Sequence, residues 1–248
     1  MIIANIVHRL ETCASTNDAA REFARDGFEE GLVVLADAQQ AGRGTHGRSW
    51  FSPAGKGLYL SVVLRPEAGR SALIPLVGGL AVRDAIREVT GLEARLKWPN
   101  DVTIEGRKVA GVLSEASFTG THLNFVILGL GLNVSHGPDD FPPDLRETAG
   151  SLLLAAGRAP SPEAVLARLY PALDRWYDGL RTGRVGEILR AAESALGLRP
   201  GSIVSLTTEA GPVSGEFVEL RPDGGIVLEG RDGRRVLGPA EVLAIAAG

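Results

Sequence analysis

Sixteen residues in the first quarter of the chain, Gly42 to Gly57, hold five glycines, at 42, 44, 47, 55 and 57, together with Arg43, Arg48 and Pro53. Glycine costs roughly 1 kcal/mol in a helix interior and proline about 3 kcal/mol, so this stretch reads as a long loop around which any fold must be arranged. Gly42-Arg43-Gly44-Thr45-His46-Gly47 satisfies the dinucleotide pattern GxGxxG and follows a candidate strand, Leu32 to Ala36. That motif needs a helix to begin within the glycines, so that a pyrophosphate sits on its N-terminus. Ser49-Trp50-Phe51-Ser52-Pro53 cannot begin one. The near-match to a P-loop, with Arg48 in place of lysine, fails for the same reason. What remains is a glycine loop whose arginine forks suit phosphate or carboxylate. A merely solvated loop would not account for Trp50-Phe51 directly after them.

The rest of the chain reads as a mixture of elements. Ser15-Thr16-Asn17-Asp18 predicts a helix start with hydroxyl and Asx caps, ended by Gly27. Leu58 to Leu64 predicts a strand, and Leu73 to Val89 follows helical spacing up to Gly91. From Ala94 to Val134 the pattern changes to strand and turn: Ala94 to Trp98, Val102 to Ile104, Lys108 to Glu115 and Leu123 to Val134. Their short turns make an antiparallel meander. Ser161-Pro162-Glu163 opens another helix, which Pro171 should kink or divide, and Arg184 to Leu196 gives one more, closed by Gly197. Beyond Arg199 the strands Ile203 to Leu206, Gly215 to Val218, Gly225 to Leu228 and Val242 to Ile245, set between Gly and Pro turns, suggest a small barrel. The expected fold class is α+β, a mixed, largely antiparallel sheet backed by helices, with domains at 1–197 and 198–248.

Charge and targeting exclude several classes. Lys and Arg number 26 against 30 Asp and Glu, a net charge of −4 without an extended basic run, so non-specific nucleic-acid or anionic-membrane binding is not the default. There is no signal-peptide core and no span-length apolar stretch, and the single cysteine, Cys13, has no intramolecular partner. A cytoplasmic enzyme is the expectation.

Four stretches in order carry a resemblance. Ser15-Thr16-Asn17, then Gln39-Gln40-Ala41-Gly42-Arg43-Gly44 ending Gly47-Arg48-Ser49-Trp50, then Lys97-Trp98-Pro99-Asn100-Asp101, then Lys108-Val109-Ala110-Gly111-Val112-Leu113 leading to Gly129-Leu130-Gly131-Leu132-Asn133-Val134 resemble the biotin protein ligases. The resemblance implies a fold similar to class II aminoacyl-tRNA synthetases followed by an SH3-like barrel. It also implies a two-step reaction, in which biotin and ATP give biotinoyl-adenylate and a lysine of an acceptor then takes the biotin. Lys108, Arg43 and Asp101 are the implied catalytic residues. Ser15, Thr16, Gln39, Gly42, Arg43, Lys108, Gly111 and Leu113 would hold biotin. Arg43, Arg48, Trp50, Asn100, Lys108 and Asn133 would hold ATP or the adenylate. Asp101 would either bind Mg²⁺ or accept a proton from the incoming lysine, and Trp98-Pro99 would fix its turn. Many relatives carry a second arginine two places after the first, where this chain has Thr45.

The implied partner is the biotin carboxyl carrier protein of acetyl-CoA carboxylase or a related carboxylase, with exposed sheet edges suited to a homodimer. Rival readings are a lipoate or octanoate ligase or transferase of the same fold, and a biotin-sensing repressor. Only Met1 to Ala14 precede Ser15, too little for a DNA-reading domain.

Overall fold

A computed structural model describes residues 2–231 and 233–247. In chain order the first part comprises β1 (Val7–Cys13), α1 (Thr16–Arg25), β2 (Val33–Gln39), β3 (Gly57–Leu64), α2 (Ile74–Thr90), β4 (Arg95–Lys97), β5 (Asp101–Ile104), β6 (Arg107–Thr119) and β7 (His122–Asn133). These strands form one seven-stranded sheet in the order β1-β2-β3-β7-β6-β5-β4, with β1 parallel to β2 and every other pair antiparallel. The meander from residue 94 to 134 is therefore present, and the sheet is mixed and largely antiparallel as expected. Strand β1 escaped the sequence reading for a physical reason. Its residues alternate between exposed and half-buried with none fully buried, so it offers no apolar run to find.

The two faces of the sheet follow the period of two in its strands. Val33 and Leu35 of β2, Leu58, Leu60, Val62 and Leu64 of β3, and Val126, Leu128, Leu130 and Leu132 of β7 enter one large core with α2. Leu32, Val34, Val63, Phe125 and Ile127 point the other way and pack on Ala20 and Ala24 of α1. Behind α2 lie α3 (Leu152–Ala156), which the sequence did not announce, then α4 (Pro162–Arg181) and α5 (Val185–Leu196). Pro171 does not divide α4, which runs unbroken for 20 residues. Asp84, 2% exposed on α2, receives hydrogen bonds from Arg83, Arg175 and Trp176, so a buried carboxylate bolts α2 to α4. No helix among the described residues is long and apolar enough to cross a membrane.

The chain ends in β8 (Ile203–Thr208), β9 (Gly211–Leu220), β10 (Ile226–Gly230), β11 (Gly233–Leu237) and β12 (Val242–Ala247), a second antiparallel sheet ordered β11-β10-β9-β8-β12. This curled sheet is the SH3-like unit the sequence anticipates. Its β11 was not foreseen, because Gly233-Arg234-Arg235-Val236-Leu237 buries only Leu237. The inward residues Val204, Leu206, Phe217, Leu220, Ile226 and Leu228 join the same apolar cluster as Ala195 and Leu198, and the Leu220 amide donates to Glu193 of α5 at 3.1 Å.

His136, just after β7, is fully buried and stacked on Phe141 with ring centroids 4.7 Å apart, and neither of its ring nitrogens has a hydrogen-bond partner among the described residues. Burial pushes its pKa down to about 4, with the Asp140 carboxylate opposing and the Lys56 ammonium assisting. Its folded-state pKa lies below the ordinary 6.5, so the unfolded chain takes up the proton first. The stability this neutral ring contributes is therefore complete above pH 6.5 and declines as pH falls toward 4. At pH 5 the loss is about 2 kcal/mol, or roughly 4–8 °C in melting temperature for a chain of this size. His136→Phe, which keeps the stack and removes the titration, should narrow the gap between the pH 7 and pH 5 melting temperatures by that amount. An unchanged gap would locate the acid sensitivity elsewhere.

Candidate functional site

The face of the sheet that carries α1 changes character toward one end. On β7 the series Phe125, Ile127, Gly129, Gly131, Asn133 runs along this face. On β3 the series is Tyr59, Ser61, Val63, and on β6 it is Gly111, Leu113, Glu115. Three of these positions lack a side chain where others come down on the sheet. A Cβ on Gly129 would lie 2.2 Å from Asn17 Oδ1, one on Gly131 2.4 Å from the Trp50 indole nitrogen, and one on Gly111 2.9 Å from the same ring. The start of α1 and the Trp50 indole thus rest directly on backbone.

This glycine floor belongs to a first cleft of about 430 Å³, walled by Ser15 and by Thr16 and Asn17 of α1, by Gln39 at the end of β2, and by Arg43, Gly44 and Trp50 of the loop. A chain of buried hydrogen bonds runs beneath it. Asn17 Nδ2 donates to Glu115 at 2.5 Å, and Ser61 Oγ donates to Asn17 Oδ1 and lies 2.8 Å from Thr16 Oγ1. Thr16 donates its backbone amide and its hydroxyl to Gln39 Oε1, and Gln39 Nε2 donates to Ser52 Oγ at 2.9 Å. Both ends of the Gln39 amide are therefore engaged by protein. Ser15 occupies the N-cap position of α1, but its side chain makes no capping bond, contrary to the expected hydroxyl cap, and it lines the cleft instead.

The glycine-rich loop is folded into a flap. Residues Arg43 and Ser49 pair across it as an antiparallel bridge, with Trp50 N–H donating to Gly42 O and Gly44 N–H to Arg48 O. The tip turns through Thr45–Gly47, where His46 and Gly47 both have positive φ. Gly42 has no room for a side chain, since a Cβ there would meet Trp50 O at 2.6 Å. Arg43 is held by the chain's own carboxylates: it grips Asp18 with two bonds of 2.6 and 2.7 Å and reaches Glu115 at 3.2 Å. The anion that this arginine called for in the sequence is supplied internally.

On the far side of Trp50 a second, larger cleft of about 1240 Å³ is lined by Arg48, Lys97, Asp101, Lys108, Asn133, Phe141 and the segment 147–149. Lys108, Trp50 and Gly44 line both clefts. Lys108 reaches this divide through a bulge. Val102 pairs with Ala110 but Thr103 pairs with Lys108, so Val109 is an extra residue, and Lys108 and Gly111 come to one face although they are three apart. The Lys108 methylene beside the ammonium would be 3.3 Å from a Cβ on Gly111, and its ammonium sits 5.3 Å from the Trp50 ring centroid and 2.6 Å from Asp101 Oδ1. That ion pair is close but not aligned as a hydrogen bond, which leaves Asp101 Oδ1 buried without a donor.

Main-chain bonds fix Lys108 further. Its N–H donates to Thr148 O and its C=O accepts from Gly150 N–H, both at 2.8 Å. Arg107 Nη1 in turn donates to Arg146 O at 2.8 Å and to Ala149 O at 3.3 Å. Asn133 donates to Gly150 O, and Asn100 donates to Val112 O while accepting Val112 N–H at its own carbonyl. Both amides brace the site, with their side-chain oxygens left over. Arg48 makes only long contacts to Thr45. The Trp98–Pro99 peptide is cis, and Trp98 is buried in the core away from both clefts. No group of three or more His, Cys, Asp or Glu residues among those described could by itself hold a metal ion.

Trp98 apart, the candidate binding and catalytic residues line these two clefts or lie on the flap and bracing bonds beside them. The sequence reading gave no site role to Asp18, Arg21, Ser61, Glu115 or Arg107, nor to Lys97, Gly129 and Gly131, which it quoted only within motifs. The Gly-Leu-Gly-Leu-Asn run of β7, small on one face and apolar on the other, was the available signal for the last two.

A family model described as "Biotin/lipoate A/B protein ligase family" matches residues 10–133. The bifunctional ligase/repressor BirA of Bacillus subtilis is 32% identical, over 94% of this chain and 72% of its own length. The biotin–[acetyl-CoA-carboxylase] ligase of Paracoccus denitrificans is 38% identical, over 92% and 96%. Among solved structures, a biotin protein ligase from Aquifex aeolicus in complex with biotin and ATP superposes with a TM-score of 0.79 at 28% identity, covering 98% of this chain and 100% of the other. One from Leishmania major in complex with biotinyl-5-AMP gives 0.60 at 26% identity, covering 94% and 99%.

Gly129→Ala tests the glycine floor. The new methyl would drive Asn17 from its bonds to Ser61 and Glu115, so the protein should lose about 1–3 kcal/mol, the cost of unpairing buried polar groups. A thermal melt matching wild type would show that Asn17 relocates freely.

Proposed function

We propose that this chain, which belongs to the biotin/lipoate A/B protein ligase family, activates biotin with ATP and transfers it to a lysine of a biotin carboxyl carrier domain of a carboxylase. The observation that carries the proposal is the sharing of Lys108 and Trp50 between two clefts, one smaller and glycine-floored, the other larger and lined by Arg48 and Lys97 as well. A reaction that joins two molecules needs its charge-stabilising group on the divide between them.

In the first step a carboxylate oxygen of biotin forms a bond to the α-phosphorus of ATP, and the bond from that phosphorus to the β-phosphate oxygen breaks, releasing pyrophosphate. Both reactants are anions, and the negative charge moves from carboxylate to leaving oxygen. An ammonium fixed at the divide serves that movement better than one free in solution. Lys108 has that position, held by its backbone bonds and by Asp101. Arg48 and Lys97 supply further positive charge on the nucleotide side. In the second step the acceptor lysine nitrogen attacks the activated carbonyl carbon, the bond to AMP breaks, and the nitrogen loses a proton.

On this reading the smaller cleft takes the fused rings of biotin. Ser15, with an uncommitted hydroxyl, is the direct polar contact, while Thr16 and Gln39 hold the wall in place. Asn133 offers its free side-chain oxygen to an adenine amino group, and Trp50 faces both substrates. Magnesium brought with the phosphates of ATP would neutralise part of their charge and would need one or two protein carboxylates beside them. Asp101 and Glu147 are the carboxylates that line the nucleotide cleft. Two roles stay open to Asp101, metal contact and acceptance of the lysine proton.

Lys108→Ala should lower biotin-dependent ATP–pyrophosphate exchange by roughly 10²–10³, the scale of losing one charge-stabilising group, with the fold retained. Exchange near the wild-type rate would remove Lys108 from the chemistry, and lipoate in place of biotin should support none.

Arg107 acts through the segment it staples. Arg107→Ala should raise KM for ATP about tenfold, as expected for one lost charge-assisted contact set, with a much smaller change for biotin. Arg107→Lys should recover part of this, since one donor remains. Equal changes for both substrates would reduce Arg107 to a general structural role.

A further inference from the structure

Four charged side chains at the mouth of the smaller cleft close into a ring. Asp18 on α1 binds Arg43 on the flap at 2.6 Å, Arg43 binds Glu115 on β6 at 3.2 Å, Glu115 binds Arg21 on α1 at 3.0 Å, and Arg21 returns to Asp18 at 2.9 Å. Two acids and two arginines alternate, so the ring is neutral. Arg43 holds the Asp18 carboxyl below its usual range, against burial and with help from Arg21. Burial pushes Glu115 up, but the Asn17 bond and the two arginines outweigh it and leave its carboxyl lowered. The ring is thus fully charged at neutral pH. Through the Asn17–Glu115 bond it is also tied to the buried chain under the cleft.

The ring has a specific mechanical position. Arg43 and Gly44 line the cleft that has the glycine floor, and the flap that carries them is attached through residues 39–41 and 51–53. Across the cleft it is joined to α1 and β6 by Arg43 alone among the ring's members. The flap's ladder bonds are made by residues 42, 44, 48 and 50, so Arg43's own N–H, on a residue that lines the cleft, has no partner among the described residues.

We propose that Asp18, Arg21 and Glu115 are positioning residues that pin Arg43, and with it the flap backbone, over the biotin cleft, so that opening of this ring sets how fast a bound biotin group leaves. The inference rests on the biotin ligase reading of the cleft. It assigns the Arg43 guanidinium to holding the flap, and leaves stabilisation of the reacting anions to Lys108, Arg48 and Lys97. The ring's side chains are 25–40% exposed, so each pair is weak and screened by salt, which suits a fastening that must open in every cycle.

The test measures release of a biotin methyl ester, which lacks the carboxylate that Lys108 would hold, from the full-length chain after rapid dilution. Asp18→Asn and Glu115→Gln should each speed release about fivefold at low salt, as for the loss of one networked ion pair. Wild-type release should accelerate with salt toward the variant rates. Release from the variants should depend on salt much less, and Arg43→Lys, which keeps a single contact, should fall between. The salt dependence of wild type needs no variant, so the proposal can be judged even if a substitution fails to fold. Wild-type release that is indifferent to salt, or variants that release at the wild-type rate, would overturn it. A wild type that binds neither biotin nor its ester would instead overturn the ligase reading on which it rests.

Discussion

The site depends on three missing side chains. Gly111, Gly129 and Gly131 sit on neighbouring strands of the central sheet, all on the face that α1 covers, and they let Asn17 and the Trp50 indole approach to distances a Cβ would forbid. With alanine at these positions, α1 would be lifted and its first turn could no longer share hydrogen bonds with Ser61 and Glu115. The same strands must still anchor the protein, and they do so from the opposite face. Ala110, Val112, Leu128, Leu130 and Leu132 bury themselves against the helices behind. Two-residue periodicity lets one strand serve as the floor of a cleft on one side and as core on the other.

Much of this was legible in the sequence, and the exceptions have common causes. Strands with buried apolar residues, such as β3 and β7, and helices with capped ends, such as α2 before Gly91, were readable because burial writes a period into the chain. Edge strands β1 and β11 write no such period, since one side of each faces solvent and few of their residues enter a core. Pro171, expected to kink or divide α4, does not divide it. The helix continues because packing of Leu166, Leu169, Leu173 and Tyr177 on α2 and the core outweighs the one hydrogen bond that proline removes.

At the site, short motifs pointed to segments that line or brace the two clefts but not to the commitments of their side chains. Gln39 and Asn100 look like ligand contacts in the sequence, yet their amides are used to tie wall to wall. Arg43 looks like an anion binder, and it is one, for Asp18 and Glu115. A donor's partner depends on what the fold brings near it, and Glu115 lies 72 residues beyond Arg43 in the chain. No local pattern around Arg43 could have announced that pairing.

Lys108 shows most directly how a local irregularity becomes function. With Gly111, Leu113 and Glu115 on the cleft face, strict alternation would turn Lys108 with Ala110 and Val112 toward the apolar core, where a lysine ammonium would lose its hydration without a partner. The extra residue at Val109 shifts the phase by one, so that valine enters the core and lysine faces the clefts. A bulge alone would leave the strand end loose, because it disrupts the ladder where it occurs. Here the backbone of Lys108 gains replacement partners at Thr148 and Gly150, on a segment that Arg107, the residue just before it, secures from the other side. The departure from regular pairing and the clamp that stabilises it therefore belong to one arrangement, which holds the ammonium on the divide between the two clefts before any ligand arrives.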